Sequence, residues 1–163
     1  MGKKATKAAD NIFCKARYQS AEKNTNFSSR ESTAEIIGLD RTRLARIELG
    51  SVTPYPEEVL SLSDAYHMPE LCNLYCSRVC PIGKITTTEL DIQEFDRLTL
   101  KVLGSLKNID SIRSRLISIA EDGDIEPEEY EEFRSVLNSL DKIAINAQAL
   151  KLWASKYISD EDM

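Results

Sequence analysis

The sequence predicts an all-α protein: a bundle of five short helices followed by a long antiparallel helical hairpin. Three observations carry this. Stretches with apolar residues at helical spacing are punctuated by Gly38, Gly50, Pro54, Pro56 and Pro69, residue types that stop or start helices. From residue 88 onward, apolar positions follow gaps of three and four along two much longer stretches. Asp122-Gly123-Asp124 and Pro127 separate those two stretches. A chain of 163 residues holds one domain, or a small domain with an extension. The expected division is a bundle over 10–80, a linker over 81–87 and a hairpin over 88–158.

The basic start Met1 to Lys7 reads as a loose tail. Asp10 is placed to cap a first helix running from Asn11 to about Glu22, with Ile12, Cys14 and Ala16 as apolar positions. The polar stretch KNTNFSS follows, with Phe27 as its anchor to the core. Ser29 then caps a second helix whose inward candidates are Ala34 and Ile37. Gly38 stops it, because glycine reaches left-handed backbone angles without a Cβ clash. Leu39 is the buried turn residue, and Asp40 caps the next helix, Arg41 to Leu49. Leu44 and Ile47 point inward there, leaving Arg41, Thr42, Arg43 and Arg46 outward. Gly50 ends that helix and Pro54 blocks an early restart. Pro56 suits the first position of a fourth helix, reaching His67 with Val59, Leu60, Leu62, Ser63 and Tyr66 as its buried stripe. Pro69 opens a fifth, carrying Leu71, Leu74 and Tyr75.

The stretch SRESTAEIIGLDRTRLARIELGSVTP, Ser29 to Pro54, therefore reads as a helix-turn-helix. Its N-cap, Ala34, Gly38, second N-cap, Leu44, Ile47, Glu48, Gly50 and Pro54 resemble the phage-repressor and Cro family of regulators, also called XRE regulators, which have a lambda-repressor-like bundle. The resemblance covers roughly Ile12 to Leu74, less than half of the chain. Two features depart from the family pattern. Thr33 stands where a larger aliphatic is usual, and the Lys23 to Ser28 link is longer than usual. The resemblance implies double-stranded DNA as partner, with Arg41, Thr42 and Arg46 facing bases. It implies a buried pair of Arg17 with Glu48 that holds the first helix against the recognition helix.

A helix of this size fits the major groove with its N-terminal residues toward base edges. An arginine there can make a bidentate contact to guanine O6 and N7. Arg30 is expected at the groove edge or on a phosphate, Arg43 on a phosphate or base, and Thr53 and Tyr55 on the DNA backbone. The plain alternative is a solvated charged face. The net charge of −6 weighs against nucleic acid, but it is unevenly spread. Residues 1–69 hold ten Lys/Arg and nine Asp/Glu, hence +1; residues 70–163 hold eleven and eighteen, hence −7. Salt limits the reach of the distant acid to about 8 Å.

Cys72, Cys76 and Cys80 are spaced i, i+4, i+8. On one straight helix the outer two sulfurs stand about 12 Å apart, at 1.5 Å per residue. One metal or iron–sulfur group could take all three only if the helix ended before Cys80, with Cys14 or His67 as a fourth ligand. The spacing matches neither common ferredoxin nor CxxC patterns. Packing as small buried hydrophobes is the favoured reading, so no metal or cofactor is expected.

Thr88 with Asp91 resembles a capping box for a long helix reaching about Glu121. Its expected seam is Ile92, Phe95, Thr99, Val102, Leu106, Ile109, Arg113, Leu116 and Ile119. The second long helix, Pro127 to about Ile158, has Phe133, Val136, Leu137, Leu140, Ile143, Ala144, Ala147, Leu150, Ala154 and Tyr157. The turn between them has half of a calcium loop, but Ser118 and Ala120 occupy the entering ligand positions, which excludes calcium. Asp124 or Glu126 is the simpler helix cap. Leu100, Leu103, Ile112, Ile117 and Trp153 lie outside a single seam. They point to dimerisation, with partner binding as the alternative role of the hairpin.

One histidine, no glycine-rich phosphate loop and no nucleophile motif argue against an enzyme. No signal peptide or membrane span is visible, so a cytoplasmic protein with thiol cysteines is expected. The expected function is sequence-specific transcriptional regulation as a homodimer. The alternatives are a protein-interaction adaptor on the same scaffold, or a thiol- or metal-responsive regulator.

Overall fold

The computed structural model describes residues 10–120 and 123–158. These are helices and their connections, with no strand among the described residues. The Met1 to Lys7 tail and the Glu121-Asp122 part of the turn lie outside them. The chain divides into two compact units, one ending at Glu89 and one beginning at Leu90.

In the first unit, α1 spans Ile12–Lys23. Its cap is Asn11 rather than the expected Asp10: Asn11 Oδ1 accepts from the amides of Phe13 and Cys14. Asp10 instead makes a surface pair with Lys15 at 3.6 Å. Asn11 was the better placed residue because its amide Nδ2 also donates to the Ile47 carbonyl, at 3.0 Å. The longer link forms a 3-10 turn over Thr25–Phe27, which buries Phe27 edge-on against Tyr66. Helix α2, Arg30–Ile37, and helix α3, Arg41–Glu48, have the expected caps Ser29 and Asp40. Gly38 between them sits at φ 74°, the left-handed region. Helices α4, Pro56–Tyr66, and α5, Glu70–Arg78, complete the bundle.

The core joins Phe13, Ala16, Phe27, Ala34, Leu44, Ile47, Val59, Leu62, Tyr66, Leu71 and Tyr75. Thr33 is fully buried, and its hydroxyl donates to the Ser29 carbonyl at 2.7 Å. That bond removes the cost of an unsatisfied buried hydroxyl. Leu60 corrects the expected α4 stripe: it is exposed, because Val59 and Leu62 already fill the inward face. The segment expected as a linker is folded at Gly83–Thr86, a short helix α6. It lies so close to α5 that a Cβ on Gly83 would stand 2.2 Å from the Cys76 carbonyl oxygen.

The second unit has α7, Phe95–Leu106, α8, Ile109–Ile119, and the 28-residue α9, Tyr130–Tyr157. The first arm is therefore two helices, not one, broken at Lys107 and Asn108. It also begins later than expected. The Thr88 and Asp91 capping box does not form: residues 87–94 are not helical, and the Asp91 carboxylate meets Gln93 and Lys101 instead. Both helices of the first arm pack antiparallel on α9. Asn146 bonds the Lys101 carbonyl at 3.2 Å, and Arg115 pairs with Glu132 at 3.5 Å. A 3-10 turn at Pro127–Glu129 precedes α9, with Glu126 as its cap.

The inward face of the first arm is Leu98, Ile112 and Ile119. Phe95, Leu106, Ile109 and Arg113 of the expected seam are exposed, as are Leu137, Ala144, Ala147 and Tyr157 of the second. The break between α7 and α8 resets the helical phase. Two residues expected outside the seam belong to the unit's own packing: Ile112 is buried, and Trp153 packs against Phe95 at a tilt of 41° with ring centroids 5.0 Å apart. Leu100, Leu103 and Ile117 remain exposed.

Candidate nucleic-acid interface

The arginines of the first unit fall into two sets. Arg17, Arg30 and Arg43 are held by carboxylates. Arg41 and Arg46 are exposed on α3 beside exposed Thr42. Neither makes an ion pair among the described residues.

The first set converges on two glutamates. Glu48, the last residue of α3, is fully buried. It accepts from Arg17 Nε at 2.6 Å and Nη2 at 3.2 Å, the expected pair. Arg17 Nη1 donates to the Phe27 and Ser28 carbonyls, which satisfies the guanidinium on three sides. Burial opposes its charge, but the bonds to Glu48 outweigh this and hold its pKa above the ordinary value. Arg30, expected at the groove edge, donates its Nε to the other Glu48 oxygen at 2.6 Å. One carboxylate thus ties α1, α2 and the end of α3 together. Such a buried network fixes geometry more than it adds stability, since desolvation offsets much of the attraction.

Arg43 meets Glu58 in a two-pronged pair, at 2.8 Å from Nε and 2.9 Å from Nη2. Its guanidinium lies 4.9 Å from the Tyr55 ring centroid, and Nη2 reaches the Thr53 carbonyl. The hydrogen bonds from Arg43 hold the Glu58 carboxyl below the usual carboxylate range, against the effect of partial burial. Glu58 also accepts from the Tyr55 amide at 2.7 Å. The loop after α3 is thereby pinned to the start of α4.

Sequence reasoning missed two partners: Arg30 as a second arm on Glu48, and Glu58 as the anchor of Arg43. For the second, only the Glu58 end had a local signal, and it pointed to Tyr55 rather than to Arg43. Glu58 stands three residues after Tyr55, the spacing at which a glutamate reaches back to a cap amide. The first had none, because 18 residues separate the partners.

The cysteines are part of the packing. Cys14 is buried, and Cys72, Cys76 and Cys80 rest half-buried against the core. Helix α5 ends at Arg78, so Cys80 lies beyond it, its sulfur 3.5 Å from the Gly83 amide. Burial pushes the Cys14 and Cys76 thiols up. His67 is an exposed left-handed cap of α4. Among the described residues, no three or more His, Cys, Asp or Glu side chains are grouped to hold a metal ion. No helix among them is long and apolar enough to cross a membrane.

Comparison with protein-family models, curated proteins and solved structures found no match to this chain.

Proposed function

We propose that the first unit binds double-stranded DNA in a sequence-specific way, with α3 in the major groove, and that the protein is a transcriptional regulator acting as a homodimer. The observation that carries this reading is the division of the arginines. Carboxylates hold Arg17, Arg30 and Arg43, whereas Arg41 and Arg46 are exposed and make no ion pair among the described residues. Arg41, Thr42 and Arg46 are the readers. Arg41 and Thr42 open α3, where a recognition helix meets base edges. Arg17, Glu48 and Arg30 are positioning residues that set the angle of α3. Arg43, braced by Glu58, serves a phosphate at the groove edge. The hairpin supplies the dimer contact that lets two copies read two half-sites.

The test is selection from a random duplex pool at near-physiological salt. The wild type is expected to enrich a two-fold site, and Arg41→Ala/Arg46→Ala to lose the enrichment while keeping its helical circular dichroism. Binding that enriches nothing and disappears with salt contradicts the reading, since only the phosphate attraction then remains. The net charge of −6 favours the competing reading of a protein-interaction adaptor on the same scaffold, which is what that result would support.

A further inference from the structure

Helix α7 has two apolar faces. One, centred on Leu98, is buried in the unit. The other points the opposite way, where Leu100 and Leu103 are 68% and 59% exposed. With 3.6 residues per turn, Asp96, Leu100, Leu103 and the cap residue Lys107, whose backbone is still helical at φ −53° and ψ −34°, fall within about 60° of one another around the helix. This stripe faces away from α9. A helix with one partner carries one apolar stripe, so the second calls for a second partner.

The charges on the stripe identify that partner. The order is acid, leucine, leucine, base. Asp96 is four residues before Leu100, and Lys107 is four residues after Leu103. The stripe is therefore complementary to its own reverse. Two copies of α7 running antiparallel, with a two-fold axis between Lys101 and Val102, place Leu100 of each against Leu103 of the other. The same register sets Asp96 of each against Lys107 of the other. Neither charge takes part in an ion pair among the described residues, whereas nearby Lys101 and Arg115 pair with Asp91 and Glu132. Gly104 borders the stripe, with nothing within 4 Å of where its Cβ would be. A mid-helix glycine is destabilising relative to alanine. At this position it lets the second backbone come close.

We propose that the outer stripe of α7 is the homodimer interface, formed by a second copy of this chain packed antiparallel through Asp96, Leu100, Leu103 and Lys107. This rests on the dimeric reading above and gives it a register. The contact is short, so the dimer is reversible and depends on concentration.

The experiment is sedimentation equilibrium on the full chain over a wide concentration range, with circular dichroism as the fold control. The wild type is expected to pass from monomer to dimer. Leu100→Glu/Leu103→Glu should stay monomeric with unchanged helicity, since both side chains are already in water. Asp96→Lys and Lys107→Glu should each weaken association several-fold, because like charges then face each other twice across the axis. Asp96→Lys/Lys107→Glu should restore it. A wild type that stays monomeric overturns the proposal. So does a dimer that the leucine variant leaves intact, or a double swap no better than the single ones. The readout is mass, so this proposal and the DNA reading can fail separately.

Discussion

The two units use apolar surface differently. In the first, Phe13, Leu44, Leu62 and Leu71 close a single core, and one glutamate, Glu48, locks three helices around it. In the second, the two helices of the first arm lie on one long helix, with Leu98, Ile112, Ile119, Val136 and Ala149 as the unit's buried apolar residues. Large apolar side chains are left on the outside of the arm. A closed core with a locked frame suits a surface that must present side chains in fixed positions. A thin, two-faced arm suits association.

The sharpest way to break that contrast is at Glu48. Glu48→Ala leaves the Arg17 guanidinium buried without its counter-charge, a loss of about 3–5 kcal/mol by analogy with broken buried pairs. Urea unfolding followed by circular dichroism should show the first unit unfolding much earlier. An unchanged midpoint would mean that the carboxylate holds nothing. In the second unit, Leu98→Ala should cost about 2–5 kcal/mol, whereas Leu100→Ala, two residues away, should leave the stability of the monomer nearly unchanged. Similar losses at the two sites would show that α7 does not have one inner and one outer face.

The smallest expected effect is at Glu58. Its carboxyl is held below its ordinary pKa, so the stability it contributes is present above the unfolded value, near 4.5. It is lost as pH falls through the lower, folded value. Wild type and Glu58→Gln should therefore differ in melting temperature at neutral pH and converge in acid. A difference that grows in acid has the wrong sign for this pair.

The same contrast decides what could be read from the sequence. Ser29, Gly38, Asp40 and Pro56 act on their own neighbours, so the α2 to α4 boundaries were legible. The Arg17–Glu48 pair came from the resemblance, and the structure shows its geometry. The arm was read less well for physical reasons. Its two apolar faces offered two seams, and the break at Lys107 and Asn108 shifted the phase between them. The extended end of the first unit is held by Asn73 and Arg78, whose bonds to Thr88 and Glu89 have no local signature. At the candidate site, the outward set on α3 was legible from helical spacing. Which arginines stay free was not, because their carboxylate partners lie 15 to 31 residues away.

The measurement that tests the central claim most directly is fluorescence anisotropy on a selected duplex and a scrambled one, across a salt series, for wild type and Arg41→Ala/Arg46→Ala. The wild type is expected to prefer the selected duplex at every salt concentration, and the variant to bind both alike with its fold intact. Equal binding of the two duplexes by the wild type, or a preference that survives in the variant, would contradict the assignment of Arg41 and Arg46 as readers.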